Sequence, residues 1–200
     1  MHAILDAGLI CHVGFALDGR PWVFPTAYGR LDDRLYLHGA SANFALRTLA
    51  SGVETSVAVT IVDGLVLSRS AFHHSMNYRS VMLFGRAEEV CQATEKRRAL
   101  AAIVDHVVPG RAADSRAPSD QELRKSLVVR IPIEEASAKV RSGGPLEEQE
   151  DLGLHYWAGQ VPLVTSLADP VPDEVTIARD AQLPPYLEGW AERRRVRPSA

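Results

Sequence analysis

Residues 53–62 read VETSVAVTIV, and this stretch decides the class of fold. The alternate positions of this stretch hold Val53, Thr55, Val57, Val59 and Ile61. Because successive residues of a strand point to opposite faces of a sheet, the alternation predicts a strand with one buried face. The dipeptide Asp63-Gly64 then predicts a tight turn into a second strand over residues 65–72.

The segment near the N-terminus has the same strand pattern. Alternation over residues 8–17 leads to Asp18-Gly19, which is typical of a two-residue hairpin turn because glycine accepts a positive φ angle. The returning strand, residues 20–28, contains Pro21 and Pro25, which cannot donate ladder hydrogen bonds. We therefore expect this strand to lie at the edge of a sheet or to be interrupted.

The remaining segments add strands and a few helices. The predicted elements are a strand ending at His38-Gly39, a helix from a Ser41 cap to about Ala50, strands over 79–90 and 127–133, an amphipathic helix over 89–108, and a brief helix capped by Asp120. Six short strands with close turns favour a barrel or sandwich over a βαβ fold. The expected fold is mainly β with peripheral helices, over residues 1–170. Residues 171–200 are expected to form a C-terminal surface tail, disordered over 193–200.

Composition restricts the class of partner. The chain has 200 residues, 46% of them hydrophobic, and a formal net charge of −3, which fits one hydrophobic core. Lys and Arg are scattered, so we expect neither nucleic acid nor a membrane as partner, and a small molecule fits better. Neither a signal-peptide pattern nor a long apolar run is present, which predicts a cytoplasmic protein.

The densest candidate site is the run from Ser70 to Ser80, which reads SAFHHSMNYRS. So many polar and aromatic groups at a strand start favour a cleft or a ligand, although a solvated hairpin loop explains them equally well. His73 and His74 are adjacent and would point to opposite faces of a strand, and no carboxylate or cysteine completes a ligand set, so we expect no metal site.

A second candidate is the predicted strand-to-helix junction over residues 37–43. Backbone N–H groups at a helix start favour a phosphate, with Ser41 and Asn43 as side-chain donors; the alternative is a plain helix cap. Further along the chain, Lys139 and Arg141 are two residues apart and could hold an anion, or simply face solvent. Trp157 offers a flat surface for a ring, or is part of the core.

Taken in order, these segments resemble the pyridoxamine 5'-phosphate oxidase-related flavin-nucleotide-binding proteins, the group that includes the nitroimidazole-resistance reductases. The resemblance covers about residues 5–165. It is carried by residues 35–40 (LYLHGA), 63–67 (DGLVL), 70–75 (SAFHHS), 77–81 (NYRSV) with Gly85, 109–111 (PGR), 137–141 (SAKVR) and 157–159 (WAG).

The resemblance implies a six-stranded split β-barrel with Greek-key connections, which forms a homodimer and binds two FMN molecules in clefts between the subunits. It also implies roles for particular residues. Pro25 and Thr26 would contact the isoalloxazine ring, and the partner's Trp157 would approach it. The ribityl chain and phosphate would lie along His38, Ser41 and Asn43, with further phosphate and ring contacts from Asn77, Tyr78, Arg79 and Ser80, and weaker ones from Lys139 and Arg141.

Two departures from the family pattern affect the functional prediction. Pyridoxamine 5'-phosphate oxidase has a basic pair where this chain has Ala42-Asn43, so the phosphate charge would be met by Arg79 or Arg47. The oxidase's C-terminal substrate segment is not recognisable either. The resemblance therefore implies an FMN-dependent oxidoreductase acting on another small molecule, with NAD(P)H as a possible electron donor. The alternatives are a flavin-binding protein without turnover, or FAD, haem or a deazaflavin in the same cleft.

Overall fold

The computed structural model describes residues 1–190 and confirms a mainly β fold. The strands are β1 (Cys11–Leu17), β2 (Arg20–Thr26), β3 (Gly29–Leu31), β4 (Arg34–Ala40), β5 (Glu54–Leu67), β6 (Ser75–Arg86), β7 (Glu88–Glu89), β8 (Ser126–Pro132), β9 (Glu135–Arg141) and β10 (Gly159–Pro162). The helices are α1 (His2–Ala7), α2 (Phe44–Ala50), α3 (Ala93–Val107), α4 (Asp120–Lys125) and α5 (Glu174–Ala178). In this part of the chain no helix has the length and apolar character that a membrane crossing requires.

The strands form two sheets. The larger sheet has six strands. Five of them follow the order β2-β1-β5-β6-β9, and the sixth, β10, pairs with β5. This sheet fits the expected six-stranded split barrel. The smaller has the order β3-β4-β8-β7. Every strand pair whose register is resolved is antiparallel, as tight turns between strands favour.

The hairpin between β1 and β2 is confirmed. Asp18 and Gly19 have φ angles of 52° and 76°, and Leu17 pairs with Arg20 across the turn. Within residues 1–190, β2 pairs with β1 alone, so the strand that contains Pro21 and Pro25 lies at an edge of the larger sheet, as predicted.

The predicted turn at Asp63-Gly64 is wrong, and so is the separate strand over residues 65–72. β5 continues through both residues for 14 positions. Gly64 serves close packing instead, because a Cβ atom there would lie 3.0 Å from the carbonyl oxygen of Val161 in β10. Asp63 is buried, and its carbonyl accepts the N–H of Leu163 at 3.0 Å.

The helices differ from the predictions at their first residues. Helix α1 was not predicted. The N-cap of α2 is Asn43, not Ser41, because the Asn43 side chain accepts the N–H of Leu46 at 3.0 Å. Ser119, not Asp120, caps α4, and it forms a capping box with Glu122.

The chain divides into two compact units. The first comprises residues 1–61 and 79–139, and its core combines strand residues such as Val13, Leu35 and Leu83, all fully buried. The second comprises residues 62–78 and the chain from 140 onward. It includes α5, whereas the predicted disorder over 193–200 falls outside the described residues.

Candidate functional site

The connection between β4 and α2 carries three of the predicted cofactor residues. His38 and Gly39 are paired in β4 with Val128 and Leu127, and Ser41 and Asn43 follow the strand. Gly39 allows α2 to pack closely here, because a Cβ atom would lie 2.7 Å from a methyl carbon of Leu46 and this side chain would have to move away. Desolvation lowers the pKa of His38, although this residue is exposed.

Two backbone donors of this connection are already used within the protein. The N–H of Ser41 donates to the carbonyl of Lys125 at 2.8 Å, and the N–H of Asn43 donates to the carbonyl of Ala40 at 2.8 Å. Neither group is free to hold a phosphate in this arrangement. An anion at this junction would therefore not be held by these two amides, so side chains would supply donors in their place.

Such side chains converge beside Ser41 in a concave pocket of about 360 Å³. Arg47 of α2, Lys96 of α3 and Arg124 of α4 line it, with Glu89 as its carboxylate. Pairing of Ala40 with Ser126 adds the Ser126 hydroxyl to the same wall. We call this group of residues in the first unit the basic pocket.

The charges of the basic pocket favour an anion. Among residues 1–190, no salt bridge joins Arg47, Lys96 or Arg124 to a carboxylate. Lys96 donates to the carbonyl of Leu123 at 3.0 Å. Three cations against Glu89 leave an excess of positive charge, which a phosphate can neutralise through charge-assisted hydrogen bonds.

A larger groove of the first unit is less suited to an anion. It is lined by residues of both signs, including Asp32, Asp33, Arg34, Glu95 and Arg98. Glu95 accepts hydrogen bonds from Arg130 at 2.8 Å and 2.9 Å and from the Tyr36 hydroxyl at 3.0 Å. The Arg130 guanidinium holds the pKa of Glu95 below its usual range, so this carboxylate stays charged and repels anions.

The predicted loop over residues 70–80 is shorter than expected, since β6 already begins at Ser75. Residues 77–80 are therefore strand residues. Alternation along β6 places Asn77 and Arg79 on the face of buried Val81, and Tyr78 and Ser80 on the opposite face. These four side chains thus do not all point toward one ligand.

Asn77 is buried in a network inside the second unit. Its amide nitrogen donates to Gln160 at 2.7 Å and to the carbonyl of Gly143 at 3.1 Å, and its oxygen accepts from Arg141 at 2.7 Å. The structure thus brings together two predicted cofactor residues, Asn77 and Arg141, and bonds them to each other. The amide thus joins β6 to β10, to the end of β9 and to the segment that follows β9.

The remaining predicted residues are spread over both units. Pro25 and Thr26 end β2, and the Thr26 hydroxyl bonds locally to the carbonyl of Ala27 at 3.2 Å. Lys139 and Arg141 both lie on strand β9. Trp157 is 66% exposed, so the alternative that it is part of the core is wrong.

The loop before β6 holds a histidine in a fixed orientation. Residues Ala71–His73 form a 3-10 turn, in which the Ser70 hydroxyl oxygen accepts the N–H of Phe72 at 3.3 Å. The Nδ1 atom of His74 lies 3.0 Å from the carbonyl oxygen of Ser70. Phe72 is 88% exposed, which is unusual for a phenylalanine.

Lys96 and Arg124 of the basic pocket were missed by the sequence analysis. They are 28 positions apart and reach Ser41 only because β4 pairs with β8, which α4 immediately precedes. A local motif does not carry such a signal.

Comparisons with known proteins agree with this fold. The model of a family described as pyridoxamine 5'-phosphate oxidase matches residues 1–140. The structure of the FAD and heme binding protein from Mycobacterium smegmatis is 37% identical, with a TM-score of 0.88, over 94% of this chain and 92% of that one. Flavocytochrome Anf3 from Azotobacter vinelandii is also 37% identical, with a TM-score of 0.87, over 94% of this chain and 87% of that one.

A more distant structure is a proposed 5-nitroimidazole antibiotic resistance protein from Bacteroides thetaiotaomicron. It is 28% identical, with a TM-score of 0.54, over 68% of this chain and 80% of that one. No curated protein matches the chain.

Proposed function

Because the chain belongs to the pyridoxamine 5'-phosphate oxidase family of flavin-binding split barrels, we propose that it binds a flavin nucleotide and acts as an oxidoreductase on a small molecule. The bound flavin supplies hydride or electron transfer, while the protein binds and orients it. The observation that carries the proposal is the basic pocket beside Ser41, whose donor set fits a phosphate.

We assign the phosphate end of the nucleotide to the basic pocket. Arg47 and Arg124 supply N–H donors in a planar fork that matches phosphate oxygens, and Ser41 adds a hydroxyl. The volume of about 360 Å³ is near the lower limit of about 300–1,000 Å³ for small-molecule sites. The pocket therefore suits the charged end of the ligand better than the whole nucleotide.

The flavin we propose is FAD in preference to FMN. The support is the relative from Mycobacterium smegmatis, which is 37% identical over nearly the full chain and is named for FAD. FMN, which the family resemblance alone implied, is the alternative outcome. Treating the purified protein with acid and chromatographing the released flavin separates the two.

Haem binding is a second candidate function. One relative at 37% identity is named as an FAD and heme binding protein, and another at 37% identity is named as a flavocytochrome. In this chain, haem binding is favoured by the fixed ring of His74, which follows the exposed Phe72 by two residues. One histidine is sufficient here, because haem iron already has four porphyrin nitrogens and is commonly held by a single proximal histidine.

Titration of flavin into three variants tests the phosphate assignment. We expect Arg47→Ala and Arg124→Ala each to weaken flavin binding by about 1.5–3 kcal/mol, since each removes a charge-assisted hydrogen bond. Arg98→Ala, an exposed change on α3 outside the basic pocket, is the matched control and should bind as the parent does. The dissociation constant is measured by quenching of flavin fluorescence.

Two results would contradict this assignment. Unchanged binding in both Arg47→Ala and Arg124→Ala removes the basic pocket from the site. If Arg79→Ala alone weakens binding, the phosphate lies on β6 instead. Turnover is tested separately: bleaching of the flavin bands by NAD(P)H and their return with oxygen or a nitro compound supports an oxidoreductase, whereas a flavin inert to these reagents supports binding without turnover.

A further inference from the structure

The hydrogen bond between His74 and Ser70 fixes the chemistry of the His74 ring. A carbonyl oxygen can only accept a hydrogen bond, so the Nδ1 atom at 3.0 Å from it is the one that carries the proton. In the neutral imidazole, Nε2 then holds the free lone pair. The ring is held in one tautomer, with its accepting nitrogen on the side away from the loop backbone.

This arrangement is the one that metal-binding histidines usually have. A ligating histidine donates its other ring N–H to a backbone carbonyl or a carboxylate, which fixes the ring and raises the basicity of the ligating nitrogen. The neighbouring His73 lacks it, since the interaction found for its ring is an edge contact with Phe72 at 5.1 Å between centroids. His74 is thus the better ligand of the pair.

The exposed side chains of this loop favour a flat apolar partner. His74 is exposed, and Phe72 is 88% exposed two residues before it. A phenylalanine ring left in water forgoes the free energy of burial, which is about 1.5–3 kcal/mol for a large apolar side chain. Covering such a ring with a porphyrin would recover part of this energy.

We propose that Nε2 of His74 is a ligand of the haem iron. This rests on the second candidate function, and it requires only one protein ligand from the loop. Within residues 1–190, no three His, Cys, Asp or Glu side chains lie together as a metal site of their own. An iron that enters already bound by porphyrin nitrogens needs no such cluster.

The test is a titration of hemin into the flavin-loaded protein, followed by its Soret band and by electron paramagnetic resonance of the ferric iron. Four proteins are compared: the parent, His74→Ala, His73→Ala and His155→Ala. We expect the parent, His73→Ala and His155→Ala to develop the same Soret band. His74→Ala should bind hemin more than about tenfold more weakly, and its ferric spectrum should lack the histidine-ligated signal.

Free imidazole distinguishes a lost ligand from a damaged fold. Imidazole added to His74→Gly should restore the Soret position of the parent, because free imidazole can bind the iron in place of the missing ring. An unchanged spectrum in His74→Ala, or a loss found in His73→Ala instead, overturns the proposal. A parent protein that binds flavin but develops no Soret band also overturns it and leaves the flavin assignment intact.

Discussion

Asn77 shows how one side chain can determine local stability. Its amide joins Gln160, the carbonyl of Gly143 and Arg141, all within 3.1 Å, and the side chain is buried. The three hydrogen bonds of this buried amide stabilise the folded state, each by about 0.5–1.5 kcal/mol. The residue that the family resemblance assigned to a cofactor thus has a structural role as well.

We expect Asn77→Ala to lower the free energy of unfolding by about 1–3 kcal/mol, because it removes three hydrogen bonds at once. Gln160→Ala removes only one of the three bonds and serves as the matched control, with a smaller loss. Thermal unfolding of the flavin-free proteins measures both. Equal melting temperatures for the parent and Asn77→Ala would show that the network contributes nothing.

Gly29 in β3 allows helix α3 to pack closely against its strand. A Cβ atom at this position would lie 2.7 Å from the backbone nitrogen of Ile103 and 2.8 Å from the carbonyl carbon of Ala102. Backbone atoms of a helix cannot rotate away as a side chain can. The packing of α3 on β3 therefore requires glycine at this position.

Gly29→Ala should destabilise the protein by about 1–3 kcal/mol through overpacking, measured by chemical denaturation. Gly144→Ala is the control, because a Cβ there meets nothing within 4 Å and its φ angle is not positive. If the two variants unfold at the same denaturant concentration, α3 does not pack as closely as described.

Helix α1 is held to the sheet by a charge pair. Arg30 donates two hydrogen bonds of 2.7 Å to the carboxylate of Asp6, and the Tyr28 hydroxyl and His106 both contact the carbonyl of Gly8 just after the helix. The Arg30 guanidinium lowers the pKa of Asp6. A carboxyl group whose pKa is lower in the folded state stabilises the fold at pH values above its pKa in the unfolded chain, about 3.9. This stabilisation is lost as the pH falls.

Asp6→Asn should therefore be less stable than the parent at pH 7, with a difference that shrinks as the pH falls below about 4. Asp169→Asn changes an exposed carboxylate that has no salt bridge within residues 1–190 and should follow the parent at every pH. Melting curves from pH 3 to 7 compare the three. A difference that stays constant with pH would show that the charge of Asp6 is not involved.

The elements that the sequence predicted well depend on local signals. Asp18-Gly19 specifies its hairpin through backbone conformation, and Pro21 with Pro25 identifies the edge strand. The turn predicted at Gly64 was wrong, because glycine is needed at this position for the close approach of β10, about a hundred positions later in the chain. The basic pocket was missed for the same reason, since Lys96 and Arg124 join Ser41 only through the pairing of distant strands.

For the molecule as a whole, association into a homodimer remains our proposal. In the first unit, β6 carries Met82 and Phe84 on its outward face, 39% and 40% exposed. Neighbouring apolar side chains on the surface of a strand favour contact with a partner. A second copy of the chain is the partner that the family resemblance implies.

Light scattering on the purified protein should give a mass of two chains at micromolar concentration. Replacing both Met82 and Phe84 with Glu should reduce it to one chain, because two carboxylates cannot be buried without partners. The control is Val23→Glu, which introduces a carboxylate on the edge strand β2. This variant should keep the mass of two chains. A monomeric parent protein would contradict the proposal.

The two prolines of β2 also affect how the protein behaves at high concentration. Leu17 and Arg20 close the hairpin as a hydrogen-bonded pair, so the backbone groups of residues 21, 23 and 25 point away from β1, toward the open edge. Because Pro21 and Pro25 have no backbone N–H, Val23 has the only N–H group among these three positions. A foreign strand that approached this side would find almost no donors, and we therefore expect the edge to resist recruitment into amyloid-like fibrils.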